Sequence, residues 1–204
     1  MKSKLGILCV ILGLGLLAGS LALYLHNGQE AEAAEQTVTA VVPQVLQQIP
    51  ETPPPEAAAL RVTPVEFLDP ADLEMKETEV DGYTYIGVLS IPKLGLELPV
   101  MAGWDYVRLK VAPCRYRGTV LGNDLVLMAH NYRSHFGRID QLVHGDTVCF
   151  TDMNGIATVY SVVGRDVLAP DAVEEMTAGH FDLTLFTCTY GGQSRVTVYC
   201  DRAE

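Results

Sequence analysis

The chain has 204 residues, 49% of them hydrophobic, a formal net charge of −11 and five cysteines. The acidity gives no basis for a nucleic-acid partner, and no Cys-x-x-Cys or His-x-x-x-His spacing points to structural zinc. The odd cysteine count argues against a dense disulfide framework.

Met1-Lys2-Ser3-Lys4 precede Leu5 to Leu25, a run without a single charge. At 1.5 Å per helical residue this run crosses a bilayer core of about 30 Å. The apolar region of a signal peptide is shorter, roughly 7–15 residues. Residues 1–27 are therefore expected to be a cytoplasmic tip and an uncleaved anchor, with Ala31-Glu32-Ala33 leaving a cleavage alternative. Lys2 and Lys4 should hold the N-terminus in the cytoplasm and place the rest of the chain outside the cell.

Residues 28–81 are rich in Glu, Ala, Gln and Pro, and Pro50, Pro53, Pro54, Pro55, Pro64 and Pro70 should break any long helix. The segment holds twelve acids against Arg61 and Lys76, so most of the net charge resides here. A disordered, solvated stalk is expected. One alternative within it is a short helix over Val62–Leu73 packing on the domain that follows.

Residues 82–204 form one domain with room for a single core. Its β-like runs are Tyr83–Ile91, Leu96–Met101, Thr119–Leu121, Leu125–His130, Thr147–Thr151, Ile156–Val163, Leu183–Cys188 and Arg195–Cys200. Eight short runs at this spacing predict an all-β closed barrel or sandwich. Asp152-Met153-Asn154-Gly155 reads as a hairpin turn, and Pro92 should end the first strand.

The chemistry gathers near the C-terminus. Cys188 ends one strand, Gly191 and Gly192 supply a turn, and Arg195 opens the next strand. A cation beside a thiol favours thiolate and can bind a developing oxyanion. His130, at the end of Leu125–Ala129, is the candidate base. His135, His144 and His180 read as solvated loop histidines. Cys149 and Cys200 read as small buried apolar residues, with a bridge from Cys200 to Cys149 or Cys114 as the alternative.

Thr184-Leu185-Phe186-Thr187-Cys188, an arginine on the following strand and a histidine after an apolar strand about sixty residues earlier resemble the sortase family. Sortases are membrane-anchored cysteine transpeptidases of Gram-positive bacteria. The resemblance covers Tyr85 to Asp201 and includes Ile86-Gly87-Val88-Leu89-Ser90-Ile91-Pro92-Lys93-Leu94 and Ala129-His130-Asn131 leading to Phe136-Gly137-Arg138-Ile139.

The resemblance implies a closed eight-stranded barrel with His130, Cys188 and Arg195 at one end of a groove. It implies attack by Cys188 on a C-terminal sorting motif of a secreted protein, and transfer of the acyl group to an amine of a peptidoglycan precursor or a pilin. Thr187 and Asn131 become candidates for substrate binding or oxyanion support, with an inward-packing strand threonine as the other reading of Thr187. Some relatives depend on Ca2+, but the scattered acids here give no ligand set, so no metal or cofactor is expected.

The short Arg165–Phe181 segment and the short Cys188–Arg195 connection lean towards classes A, D or E. Asp69-Pro70 only faintly resembles the lid of class C enzymes. Two rival functions use the same residues. One is a Cys-His peptidase or peptidoglycan hydrolase. The other is a non-enzymatic membrane-tethered β-barrel binding module with a merely buried Cys188.

Overall fold

The computed structural model describes residues 2–62, 73–178 and 180–203. They form two compact units, Met1–Ala33 and Ala34–Glu204. The first unit is one helical stretch, with Ile7, Leu12, Leu16, Leu17 and Leu23 all exposed. An α-helix apolar all round requires an apolar surrounding, and this one is long and apolar enough to cross a membrane.

The helix, α1 (Lys2–Gln48), continues into the second unit. The stalk expected over residues 28–81 is therefore helical as far as Gln48 and, from Ala34 onward, belongs to the folded domain. The reason is periodicity: Ala34, Val38, Val41, Val42 and Val45 recur at helical spacing and are buried. Pro43 lies inside this helix on an exposed position. An interior proline costs about 3 kcal/mol, which four buried valines outweigh at roughly 1.5 kcal/mol or more each.

Beyond α1 the chain stays tied to the barrel. Gln44 donates to Asp81 at 3.0 Å. Arg61, on α2 (Pro55–Val62), forms a 2.6 Å ion pair with Asp152 and donates to Thr158 at 3.2 Å. The helix expected over Val62–Leu73 and the Asp69-Pro70 pair fall mainly on residues 63–72, outside those described.

Among the described residues nine strands follow: β1 (Thr78–Val80), β2 (Tyr83–Ile91), β3 (Leu96–Met101), β4 (Cys114–Arg117), β5 (Leu125–Met128), β6 (Thr147–Asp152), β7 (Ala157–Leu168), β8 (Leu183–Cys188) and β9 (Arg195–Arg202). Their order is β1-β2-β3-β4-β5-β8-β9-β7-β6, and β6 pairs back onto β2. The ring from β2 to β6 is thus a closed barrel of eight strands, with β1 as an added edge. Closure happens at Gly87, paired with Asp152. A Cβ there would lie 2.2 Å from the Thr151 carbonyl oxygen, so the seam admits only glycine.

The turns follow from local chemistry. β2 ends where Pro92 starts a short 3-10 turn, closed by Gly95 in the left-handed region. Asp152 Oδ1 accepts from the amides of Asn154 and Ile156, which fixes the β6–β7 turn. The strand expected over Thr119–Leu121 is instead a turn, and Cys114–Arg117 takes its place in the sheet. Asp124 Oδ1 accepts from Thr119 N at 2.9 Å and Thr119 Oγ1 accepts from Gly122 N at 2.9 Å. Such side-chain bonds compete with a strand ladder.

The barrel interior is filled by Ile86, Leu89, Leu98, Leu127, Phe150, Leu185, Val198 and their neighbours, joined by Val38 and Val42 of α1. Val41 and Val45 join a second cluster with Tyr85, Met101 and Met153.

Candidate active site

Two strand registers assemble the site. β5 and β8 run parallel, with Met128 level with Phe186, and Ala129 N donates to the Phe186 carbonyl at 3.3 Å. Two residues further along each strand stand His130 and Cys188. β8 and β9 are antiparallel, with Cys188 directly opposite Arg195. Three strand ends, each about 4.8 Å from the next, therefore bring the three expected residues to one rim of the barrel.

Alternation sets which way each side chain points. Leu183, Leu185 and Thr187 of β8 turn inward, while Phe186 and Cys188 lie on the outer face. Cys188 and Arg195 are half-buried, and as direct cross-strand neighbours they share that face. The Arg195 guanidinium donates from Nη1 to the carbonyls of Gly192 (3.0 Å) and Ser194 (3.2 Å). Gly191 and Gly192, at φ of 88° and 75°, let the six-residue connection curl tightly enough for this. The guanidinium is thereby held by its own loop.

His130 is placed by the loop that follows it. Phe136 N donates to the His130 carbonyl at 3.1 Å, and His135 N and Gly137 N both donate to the Tyr132 carbonyl at 2.9 Å. Gly137 is required here, since a Cβ would lie 2.3 Å from the Asn131 carbonyl oxygen. The Tyr132 ring packs against His130 at 4.9 Å between centroids and against His135 at 5.4 Å. His135 was expected to be a solvated loop residue, but it is fully buried. Burial first, and the neighbouring His130 second, push its pKa down to about 4. The aromatic Tyr132 three positions earlier and Phe136 beside it were the signal that this loop turns inward. His144 and His180 are exposed, as expected.

Thr187 is 4% exposed and donates its hydroxyl to the Ala129 carbonyl at 2.8 Å. It takes the inward-packing reading: its proton is directed to strand β5 and away from the outer face where an oxyanion would form. Asn131 is half-buried, with its carbonyl against Gly137.

Outside the barrel, Phe186 packs with Val126 and with Met176 of the one-turn helix α3 (Val173–Thr177). Tyr116 meets Phe186 edge-on at 5.4 Å, and Trp104 stacks on Tyr116 at 5.7 Å. This apolar strip on the outer face of β8 leads up to Cys188. Sequence reasoning missed Trp104, Tyr116 and Met176, because what joins them is the sheet order and the β7–β8 connection.

All five cysteines are free thiols. Burial pushes Cys114 and Cys200 up to about 12 and raises Cys149 as well, so none of the three is a ready nucleophile. Cys200 lies in the barrel interior with Val198, as its alternation with Arg195 implied. Among the described residues no three His, Cys, Asp or Glu side chains gather as a metal site.

The family model of the sortase domain matches residues 89–203, more than half of the chain. The chain belongs to the sortase family. Sortases are cysteine transpeptidases, and the rim of His130, Cys188 and Arg195 lies within the matched region. Sortase C1 from Streptococcus suis is 30% identical at a TM-score of 0.52, over 59% of this chain and 73% of that one. Sortase C from Clostridium perfringens SM101 is 23% identical over 80% and 89% of the two chains, with a TM-score of 0.53. A structure of Clostridium perfringens sortase C with the C-terminal cell wall sorting motif matches at 23% identity and a TM-score of 0.54, over 80% and 89%. Sortase A from Corynebacterium diphtheriae is 20% identical over 89% and 96%, with a TM-score of 0.55. No curated protein sequence matches the chain. Because both C- and A-type sortases share the fold of this sortase, its class is not fixed by architecture.

Proposed function

We propose that this sortase is a single-pass membrane enzyme with its N-terminus in the cytoplasm and its barrel outside the cell. It cuts a C-terminal sorting signal from secreted proteins and joins the new carboxyl end to an amine of a cell-wall precursor or a pilin. Cys188 is the nucleophile, His130 the proton carrier and Arg195 the oxyanion and substrate anchor. The observation that carries this reading is the double register that aligns the ends of β5 and β8 and pairs Cys188 with Arg195.

The steps balance without any cofactor. The Cys188 thiolate adds to a backbone carbonyl of the sorting motif, and the resulting oxyanion is met by the Arg195 guanidinium. The peptide C–N bond breaks, His130 as imidazolium gives its proton to the departing amine, and a thioester remains. An incoming amine gives a proton to neutral His130, adds to the thioester and expels the Cys188 thiolate. A new amide forms and the starting protonation state returns. Lys2 and Lys4 before the apolar run support the orientation, since cytoplasmic flanks are enriched in basic residues.

The test incubates the full chain in detergent micelles with a pool of C-terminal sorting peptides, with and without amine acceptors, and reads intact mass. An acyl adduct on Cys188 that moves to an amine is the expected result. An adduct released only to water when acceptors are present would favour a hydrolase. A thiol that neither acylates nor alkylates near neutral pH would leave a binding module.

A further inference from the structure

The imidazole of His130 turns about two side-chain bonds at the half-buried end of β5, and a strand backbone leaves both torsions open. A group that passes protons to and from a reacting atom has to be held within about 0.5 Å of its working place. The Tyr132 ring lies against this imidazole, with centroids 4.9 Å apart and planes tilted by 34°. That separation is within the range of a packed aromatic pair.

Tyr132 is itself supported from behind. Its ring meets that of His135 at 5.4 Å and 50°, and its carbonyl accepts from the amides of His135 and Gly137, each at 2.9 Å. His135 and Phe136 are fully buried, and Phe136 belongs to the barrel core. The Phe136 amide also donates to the His130 carbonyl at 3.1 Å, which closes the loop on itself. Rigidity thus passes outward from the core to His135, then to Tyr132, then to His130. Burial pushes the His135 pKa down to about 4, so at neutral pH this support carries no charge to oppose a proton on His130.

We propose that Tyr132 is a positioning residue, whose ring holds the His130 imidazole at the angle from which it exchanges protons with the amines of the reaction. The proposal rests on the transpeptidase reading, in which His130 protonates the departing amine and later deprotonates the incoming one. Both half-reactions use one imidazole in one place. Loss of the Tyr132 ring therefore slows both by a similar factor, and it leaves peptide binding alone because Tyr132 acts through His130. The ring face does this, so phenylalanine serves as well as tyrosine and leucine does not.

The test uses the full chain in detergent micelles, native and with Tyr132→Leu or Tyr132→Phe. Single-turnover acylation of Cys188 by the pool of C-terminal sorting peptides, and then by its most reactive member at a range of concentrations, is followed by intact mass. The thioester is resolved with triglycine. Tyr132→Leu is expected to lower the maximal acylation rate and the transfer rate by about tenfold or more each, with the half-saturating peptide concentration changed less than about twofold. Tyr132→Phe should keep both rates within about twofold of native. Should Tyr132→Leu fail to fold, Tyr132→Met, similar in bulk but without a flat face, carries the test. A readout that needs no peptide comes from isotope-labelled histidine: the His130 ring signal, assigned with His130→Asn, should move in Tyr132→Leu and stay in place in Tyr132→Phe.

Native rates in Tyr132→Leu, a defect confined to the half-saturating concentration, or a Tyr132→Phe as slow as Tyr132→Leu overturns the positioning role. Slowed acylation with untouched transfer overturns it too, while the transpeptidase reading stands. A native chain that none of the peptides acylates sinks the transpeptidase reading. A His130 signal that still answers to Tyr132→Leu would then leave the ring contact in place and remove its part in the reaction.

Discussion

The Thr187 hydroxyl donates to the Ala129 carbonyl at 2.8 Å, joining the residue before Cys188 to the residue before His130. Both groups are buried, so the bond braces the spacing of the two strand ends. Thr187→Val leaves the carbonyl without this donor and is expected to lower stability by about 1 to 2 kcal/mol. It should also slow Cys188 acylation, with Thr187→Ser restoring most of both. Thermal melts and single-turnover acylation check this, and an unchanged acylation rate in Thr187→Val would remove the bracing role.

Cys188→Ala is expected to abolish turnover while the melting temperature stays within about 2 °C, since a half-buried strand-end thiol contributes little packing. In the native protein outside the apolar helix, an alkylating reagent should reach Cys188 before the buried Cys114 and Cys200. Peptide mapping after brief labelling decides the order. Loss of the folding transition in Cys188→Ala would make that residue structural.

Arg195 holds its loop through two carbonyls from one nitrogen, and the substrate contact proposed for it would use the rest of the guanidinium fork. Lysine keeps the charge but not the fork. Arg195→Lys should therefore cut kcat/KM at least a hundredfold, and near-normal kinetics would exclude arginine from the mechanism.

His135 links stability to acid. Its pKa is about 4 in the folded protein against 6.5 for the free side chain. Below pH 6.5 the unfolded chain takes up a proton that the folded one refuses, so stability falls as pH drops towards 4 and changes little from this residue above 6.5. The full effect is about 3 kcal/mol. His135→Phe should flatten the denaturation midpoint between pH 6.5 and 4; the same slope in variant and native protein would assign the acid sensitivity elsewhere.

Val45 is fully buried by the barrel although it belongs to the helix that begins in the apolar run. Val45→Ala is expected to cost about 2 kcal/mol. A chain shortened to begin near Val80 should melt well below one that begins at Ala34, because the shorter one uncovers Val38, Val41, Val42 and Val45. Equal melting temperatures would mean that the helix adds nothing to the domain.

The strands that carry the chemistry were legible because each pairs a period of two with a turn of fixed type. Leu183–Cys188 was read to the residue, and Gly191-Gly192 marked the loop before Arg195. The valine stripe of α1 was hidden by its surroundings: composition read over 28–81 averages Val38 to Val45 with the prolines and glutamates that follow. His135 was misread for a related reason, since its polar neighbours Arg133 and Ser134 outweighed Tyr132 and Phe136. Strand β4 was misplaced because Cys114-Arg115-Tyr116-Arg117 has little apolar periodicity of its own and is held by its partners Arg115↔Leu127 and Cys114↔Met128.

Gly87 pairs with Asp152 across the seam where the cylinder shuts, and these residues are far apart in sequence. The seam cannot form from neighbouring hairpins, so the search for this long-range contact should govern how fast the barrel folds. Domains dominated by such pairings fold in milliseconds to seconds. A newly made chain would spend that interval with the β2 and β6 edges open, and those edges are where misassembly would begin.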